Sequence, residues 1–294
     1  MKTRAFILIV LASVFWGTSP LFVSTLAPLG FSSLQMTALR SVVAVLVMAA
    51  YVLIKDRRLF FASPVDLIIF ALIGVSFLAT ATLYYQSMQM TSSATAVVLM
   101  YTAPVIVMVY SVLFFGERMT KLKLVALVAM LIGCCLVAGI IGGLKFNVLG
   151  IILGALSGIS YSAYNIFTKV SMRRGAHPVT ATFYAFSCAA ILSMFISKPC
   201  GIIESVSLDA LHILPLIALF GIVTCILPYF LYTVGIKDLS AGTATSLGII
   251  EPMAATVFSA VFLNQIPDAF SIIGVVLILG AVALLGVAEG SEKL

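Results

Sequence analysis

Residues 91–120 read TSSATAVVLMYTAPVIVMVYSVLFFGERMT. This stretch predicts an apolar helix that begins with small polar residues, carries Pro104 near its middle and ends at Glu117 and Arg118. A proline inside a helix removes a backbone hydrogen bond, which is costly in a soluble helix and tolerated in a membrane helix. The stretch therefore predicts a membrane span that is broken near its middle.

The second half of the chain repeats this stretch. Residues 239–268 read LSAGTATSLGIIEPMAATVFSAVFLNQIPD, and a shift of 148 residues makes 8 of the 30 positions identical. One identical pair is Pro104 and Pro252. Repetition at half the chain length is typical of transporters built from two related halves. We therefore predict two repeats, over residues 1–145 and 146–294.

The composition indicates a membrane protein. Of the 294 residues, 63% are hydrophobic and 9% are charged, and the mean hydropathy is +1.25. Soluble domains carry about 25% charged residues, so a soluble globular fold is excluded. A net charge of +6 would suit nucleic acid, but the basic residues lie between apolar runs, as membrane topology requires. We expect the lipid bilayer as a partner and no nucleic acid.

Ten apolar runs are long enough to cross a bilayer, which takes about 20 residues each. We predict an all-α integral membrane protein whose ten transmembrane helices, numbered here as spans 1 to 10, lie near 5–25, 32–54, 65–89, 92–115, 122–142, 148–168, 178–197, 210–235, 241–263 and 269–288. The first run resembles a signal peptide, but no convincing cleavage site follows it, so we interpret it as an uncleaved span. Ser63-Pro64, Pro178 and Asp268 predict the starts of spans 3, 7 and 10.

The basic residues predict the orientation. If the N-terminus is cytoplasmic, the cytoplasmic segments hold 13 of the 16 Lys and Arg residues and the outer segments hold only Lys145 and Lys198. This bias predicts a multi-pass protein of the plasma or inner membrane with both termini in the cytoplasm. Five spans per half is an odd number, so the second half enters the membrane from the opposite side. The ten helices are therefore expected to form two inverted five-helix repeats.

The chain resembles the EamA family of the drug/metabolite transporter superfamily over essentially its whole length. The residues that carry the resemblance are Trp16-Gly17, Arg40, the run from Tyr84-Tyr85 through Pro104 to Gly116-Glu117, and Glu251-Pro252. The second repeat departs from the pattern, because Asn264-Gln265 replaces Gly-Glu. The resemblance implies a central cavity lined mainly by spans 1, 3, 4, 6, 8 and 9, with spans 5 and 10 behind. It also implies transport of small metabolites such as amino acids, often outward.

Two ionisable residues, Arg40 and Glu251, lie deep in the predicted hydrocarbon region. A charge there costs about 2.5–3.5 kcal/mol on insertion scales, so each must face the protein interior or a partner. For Glu251 the alternatives are a substrate or proton site, or a hydrogen bond that stabilises the backbone beside Pro252. For Arg40 they are a substrate contact, or a structural or gating role.

The two helix-breaking prolines have two possible roles. Pro104 and Pro252 deprive the carbonyls of Met100 and Gly248 of their helical partners, and a bare carbonyl is expensive in lipid. Either each bend opens a polar cavity at the middle of the membrane, or each is a kink that serves packing.

Aromatic and small polar side chains complete the candidate substrate-binding set. Beyond Arg40 and Glu251, its members are Trp16, Tyr84, Tyr101, Tyr161, Asn165, Tyr229, Tyr232, Thr243 and Ser246. Aromatic walls with a few hydrogen-bonding groups suit an amphipathic metabolite. For any one tyrosine, core packing or anchoring at the membrane interface is the alternative.

These features predict a secondary transporter that exports a small organic metabolite, such as an amino acid, by alternating access. A flippase for a lipid-linked metabolite is the first alternative, and an intramembrane lipid-processing enzyme is the second. The sequence has no phosphate-binding loop, no metal-ligand spacing and no catalytic constellation near the middle of the membrane, so we expect no enzyme activity, no cofactor and no metal. We expect a monomer, with a dimer left open.

Overall fold

The computed structural model describes residues 2–91, 93–139, 147–197 and 199–291, and these ranges form helices joined by short connections. In the first half the helices are α1 (Lys2–Trp16), α2 (Ser19–Leu26), α3 (Ser33–Lys55), α4 (Pro64–Met90), α5 (Ser93–Met100), α6 (Ala103–Phe114) and α7 (Lys121–Val137). In the second half they are α8 (Val148–Arg173), α9 (Pro178–Ile196), α10 (Pro199–Leu208), α11 (Ala210–Gly221), α12 (Leu227–Asp238), α13 (Ala241–Leu247), α14 (Ile250–Leu263) and α15 (Ala269–Ser291).

Nine helical segments within the described ranges are long and apolar enough to cross a membrane. They correspond to nine of the ten predicted spans. The remaining run, span 5, forms the 17-residue helix α7, and the last predicted residues of that run, 140–142, lie outside the described part of the chain. The count of ten therefore stays a prediction, and span numbers below refer to the ten sequence runs.

The predicted helix starts are confirmed. The Ser63 side chain accepts the Asp66 amide, with Pro64 as the first helical residue of span 3. Pro178 is the first residue of span 7. Asp268 accepts the Ser271 amide at 2.7 Å at the start of span 10, and this hydrogen bond lowers the pKa of the Asp268 carboxyl group.

Spans 4 and 9 are each two helices joined by a break. In span 4 the break lies at Tyr101-Thr102, and α6 then begins one residue before Pro104. In span 9 it lies at Gly248-Ile249, two residues before Glu251. The interruptions leave backbone groups at the middle of the bundle, where side chains from other spans can reach them.

The spans pack in a pattern that leaves a space at the centre. Span 3 packs on span 6, span 1 packs on span 8, and span 2 packs on span 7. Spans 5 and 10 pack against each other, with a Cβ built at Gly274 only 2.6 Å from the Gly133 carbonyl oxygen. Glycine is needed at that contact because any side chain would push the two helices apart.

Lys169 follows the predicted end of span 6 but lies buried inside a helix. Span 6 continues to Arg173, five residues beyond the predicted end, and Lys169 is buried on it. Its ammonium group is bonded to backbone carbonyls of the last turn of span 8 and the residue after it, which allows a charge to remain in a buried position.

Candidate functional site

A cavity of about 590 Å³ occupies the centre of the bundle. Its wall combines residues from the second half of spans 1, 3 and 9 with residues from the first half of spans 2 and 4 and from the middle of spans 6 and 8. Val137 and Ala138, at the end of span 5, also line it, although span 5 was expected to lie behind the cavity. Consecutive spans run in opposite directions, so these segments share one end of the bundle. The cavity reaches that end at Ser33, the first residue of span 2. Its volume suits a small organic ligand.

The other end is called the basic end, because the charged connections meet there. Arg174 pairs with Asp66 at 2.7 Å, Arg173 donates to the Phe115 carbonyl oxygen at 2.9 Å, and Lys123 pairs with Glu289 at 3.0 Å. The site is therefore enclosed on one side by a packed, charged layer and accessible on the other.

Two opposite charges face the cavity from different spans. Arg40 comes from span 2 and Glu251 from the break in span 9, and among the described residues they form no ion pair with each other. The Arg40 guanidinium carbon lies 5.2 Å from the centre of the Phe77 ring, which is cation–π range. No acceptor for Arg40 Nε lies among the described residues.

A second hydrogen-bond donor in the wall is also without a partner. Trp16 lines the cavity, and its buried indole Nε1 has no acceptor in the described part of the chain. Buried donors are normally paired, and exceptions concentrate at sites with a function. With Arg40 and Trp16 as donors and Glu251 as an acceptor, the cavity suits a ligand that carries both negative and positive charge.

Tyr101 joins the two broken spans. Its hydroxyl donates to Glu251 Oε2 at 2.9 Å and lies 3.2 Å from the Gly248 carbonyl oxygen. Gly248 carries the carbonyl that Pro252 deprives of its helical partner. The Tyr101 hydroxyl and the Glu251 amide, at 2.9 Å, now satisfy that oxygen. One tyrosine therefore stabilises both the break and the carboxylate.

Aromatic rings form the floor of the cavity. Tyr229 is central, with ring-centre distances of 4.9 Å to Trp16, 5.3 Å to Phe77, 5.1 Å to Phe186 and 5.7 Å to Tyr164. Below these rings, toward the basic end, a second cavity of about 10 Å³ has room for about one water molecule. The rings thus separate the large cavity from the basic end.

Comparison with known proteins identifies the family. The model of the EamA-like transporter family matches residues 3–139 and, a second time, residues 148–287. The chain belongs to the EamA-like transporter family. The resemblance seen in the sequence and the expected two-repeat architecture are therefore confirmed.

The relatives of this EamA-like chain are named as transporters. An uncharacterized transporter of Archaeoglobus fulgidus is 31% identical over 278 residues, which cover 94% of each chain. The uncharacterized transporter YwfM of Bacillus subtilis is 24% identical and covers 100% of this chain and 97% of its own. A solved crystal structure superposes on this protein over 100% of each chain, with a TM-score of 0.79 and 20% sequence identity. The two proteins therefore share a fold.

Most of the predicted substrate-binding residues of this EamA-like transporter line the large cavity. They are Trp16, Arg40, Tyr84, Tyr101, Tyr161, Tyr229 and Glu251, and Pro252 lines it as well. The structure thus brings together residues from seven different spans. Whether they touch a substrate stays a prediction.

Two predicted residues lie behind the wall instead. Tyr232 is fully buried and donates to Asn165 Oδ1, with its ring 5.5 Å from Trp16. Asn165 in turn donates to the Tyr161 carbonyl oxygen at 2.6 Å. Their polar groups are used within the protein, so the placement of Tyr232 on the cavity wall is corrected to a position that supports Trp16.

Three further predicted residues lie in the half of the bundle that is closed. Thr243 donates to Glu289 at 3.0 Å and Ser246 donates to the Gly242 carbonyl oxygen at 2.8 Å. Pro104 is buried in α6. All three are away from the large cavity because the start of span 9 and the end of span 4 pack against each other at the basic end.

Sequence reasoning also missed part of the wall. The family resemblance implied a wall formed mainly by other spans, and Arg40 was the one residue predicted from span 2, yet Ser33, Met36, Thr37 and Arg40 all line the cavity. Their spacing of three and four residues places them on one helix face, and this stripe was readable in the sequence. Tyr164, three residues after Tyr161, could have been found by the same rule.

Proposed function

We propose that the chain is a secondary transporter that exports small zwitterionic metabolites, such as amino acids, by alternating access through the central cavity. The observation that carries the proposal is the pair of opposite charges, Arg40 and Glu251, facing one cavity among aromatic rings. Membership of a transporter family supports the general function, and the cavity supports the substrate class.

The charges supply an orientation for such a substrate. A carboxylate group would accept hydrogen bonds from Arg40 Nε and from Trp16 Nε1, the two donors of the cavity wall that have no acceptor among the described residues. An ammonium group would meet Glu251, which already accepts one hydrogen bond from Tyr101. An apolar or aromatic side chain would then contact rings such as Tyr84 and Phe77. Charge-assisted hydrogen bonds at both ends would give specificity for the zwitterion.

The architecture that we propose is ten transmembrane helices in two inverted repeats. A twofold relation between the halves would exchange span 1 with span 6, span 2 with span 7, and so on. It would convert the contact between spans 3 and 6 into a contact between spans 8 and 1, and both contacts are present. The same exchange leaves the pairs 2–7, 4–9 and 5–10 unchanged, and these are also in contact. Packing that survives this exchange supports a twofold relation between the halves.

We place the basic end in the cytoplasm of a plasma or inner membrane, with both termini on that side. The basic residues of the connections gather at this end, in agreement with the positive-inside rule. The large cavity would then open to the outside. Energy would come from an ion gradient, from exchange or from the substrate's own gradient, because the sequence lacks a phosphate-binding loop.

Transport into proteoliposomes tests the proposal. The purified protein is reconstituted, and uptake of a mixture of labelled amino acids is measured with and without an imposed pH gradient. We expect uptake that an excess of the matching unlabelled amino acid abolishes. Its amide, which lacks the carboxylate, and its N-acetyl derivative, which lacks the ammonium group, should each compete at least tenfold more weakly.

A matched pair of variants assigns the effect to the cavity. Arg40→Gln should reduce uptake at least tenfold, whereas Arg58→Gln, which removes an exposed charge at the basic end, should leave uptake unchanged. Equal competition by the amide and the zwitterion would contradict the substrate class. Movement of a lipid-linked metabolite between leaflets would favour the flippase alternative, and chemical change of a lipid would favour the enzyme.

A further inference from the structure

The two ends of the bundle differ in how spans 4 and 9 meet. At the basic end, α6 of span 4 packs on α13 of span 9, and a Cβ built at Gly242 lies 3.1 Å from Met108 Cγ. At the opposite end, α5 and α14 lie on different sides of the large cavity, which Val97 and Thr256 both line. The structure is therefore closed at the basic end and open at the other.

Lys169 contributes to the closed end from span 6. The residue is 5% exposed, and its ammonium group donates to the carbonyl oxygens of Ile236 at 2.7 Å, of Lys237 at 3.3 Å and of Leu239. An ammonium group has three donors, so all of them are used. A positive charge at the C-terminus of a helix is also favoured by the helix dipole, and α12 ends here.

Glu117 contributes from the end of span 4. Its two carboxylate oxygens accept the Ala241 amide at 3.0 and 3.1 Å, so the end of span 4 is bonded to the first residue of span 9. Glu289 on span 10 accepts the Thr243 hydroxyl at 3.0 Å and pairs with Lys123. The short connection between spans 8 and 9, together with the first residues of span 9, is thus hydrogen-bonded to residues of spans 4, 6 and 10 or next to their ends.

The repeat supplies no equivalent charges at the open end. The shift of 145 residues that aligns Trp16 with Tyr161 places Ser24 at the counterpart of Lys169. The shift of 148 residues places the neutral Gln265 at the counterpart of Glu117. Closure of the open end would therefore form neutral hydrogen bonds where the basic end has charge-assisted ones, which are stronger.

We infer that Lys169 and Glu117 form a latch at the basic end, and that this latch makes the empty carrier rest open at the opposite end. The inference goes beyond the proposed function and rests on it, because alternating access requires a second state that is open at the basic end. In that state Lys169 and Glu117 lose their charge-assisted hydrogen bonds. Their outer counterparts, Ser24 and Gln265, would form only neutral hydrogen bonds, which are weaker. The resting population of the carrier is set by this difference.

Cysteine accessibility in the absence of substrate measures the two states. In a background without native cysteines, one reporter is Thr256→Cys in the large cavity and the other is Thr233→Cys in the small cavity below the aromatic rings. Each is labelled with a membrane-impermeant maleimide. In the parent protein, Thr256→Cys should react quickly and Thr233→Cys slowly.

Three variants give the test. Lys169→Met should increase the labelling rate at Thr233→Cys at least fivefold and decrease the rate at Thr256→Cys. Lys55→Met, which removes an exposed charge at the same end, should change neither rate. Gln265→Glu supplies the missing outer carboxylate, and the repeat makes the Ser93 amide the counterpart of the Ala241 amide that Glu117 binds. Closure of the outer end would then form a charge-assisted hydrogen bond, so this variant should shift both rates in the same direction as Lys169→Met, by about twofold.

The Lys169→Met result decides the inference if that variant elutes as a folded monodisperse protein. Unchanged rates would then overturn it. If the variant does not fold, Gln265→Glu decides in its place, and unchanged rates in that variant would overturn the inference. The labelling experiment needs no substrate, so it tests the latch even if amino-acid transport is not observed. Failure of the latch and failure of the proposed function can therefore be told apart.

Discussion

Spans 4 and 9 share the same broken-helix architecture, and two of the positions at which they differ carry side chains that contact each other. Both are broken just before a proline, but Tyr101 stands where span 9 has Ile249, and Glu251 stands where span 4 has Ala103. The Tyr101 hydroxyl donates to the Glu251 carboxylate at 2.9 Å. Duplication thus explains the two breaks, whereas the polar groups of the site arise from divergence between the halves. The difference shows that the candidate site belongs to neither repeat alone.

The neighbours of the two breaks differ in the same way. On span 1, a Cβ at Gly17 would lie 2.5 Å from Ala254 Cβ and 3.0 Å from the Glu251 carbonyl oxygen. At the equivalent place on span 6, Ser162 donates to the Ala103 carbonyl oxygen at 3.4 Å. At this pair of equivalent positions, the break that carries the charge therefore has the closer helix contact. Three changes test this comparison.

Glu251→Gln is expected to have the largest effect. The change keeps the shape of the side chain and its hydrogen bond from Tyr101 but removes ionisation. Because the carboxylate is the only acidic side chain that lines the described cavity, uptake should fall at least tenfold and its dependence on an imposed pH gradient should disappear. Uptake into proteoliposomes measures both effects.

The control for this prediction is Glu204→Gln, which neutralises an exposed acid at the end opposite the basic end. It should behave as the parent protein does. If pH dependence survives in Glu251→Gln, Glu251 does not couple a proton and instead stabilises the backbone beside Pro252.

Tyr101→Phe is expected to have the next largest effect. It removes one hydroxyl, and with it a donor to Glu251 and to the Gly248 carbonyl oxygen. A hydrogen bond to a charged group contributes about 1.5–3 kcal/mol, so uptake should fall roughly tenfold. Tyr51→Phe, at an exposed position of span 2, is the matched control. Equal uptake in the two variants would mean that the bond between the breaks has no role in transport.

Gly17→Ala should have the smallest effect on transport, and its main effect is on stability. The added methyl group would overlap Ala254, and overpacking of this kind costs about 1–3 kcal/mol. Ser162→Ala, its counterpart, loses a long hydrogen bond to the Ala103 carbonyl oxygen and a bond at 2.8 Å to the Gly158 carbonyl oxygen within its own helix, and it should be close to neutral. Thermal unfolding followed by size-exclusion fluorescence compares the two. A larger loss in Ser162→Ala would reverse the assignment of the closer contact.

The helices were largely predictable from the sequence, and the site only partly. Apolar runs, Ser63-Pro64 and Asp268 located most helix ends to within a few residues, because those signals are local. The end of span 6 was placed five residues early, because Lys169 reads as a connecting residue until its carbonyl partners on span 8 are known. Likewise, nothing in the sequence around Tyr232 distinguishes a cavity wall from a position behind Trp16.

By itself, the sequence determined that this is a helical membrane protein of two related halves, with broken spans at Pro104 and Pro252 and charges at Arg40 and Glu251. Hydropathy and the effect of proline on the backbone are local properties, so they can be read directly from the order of residues. The contacts between distant residues came from the tertiary structure alone: the hydrogen bond of Tyr101 to Glu251, the place of span 2 in the cavity wall, and the hydrogen bonds of Lys169 and Glu117 to residues 236–241 at the basic end. Those outcomes depend on distances between residues far apart in the chain, which helix packing alone establishes.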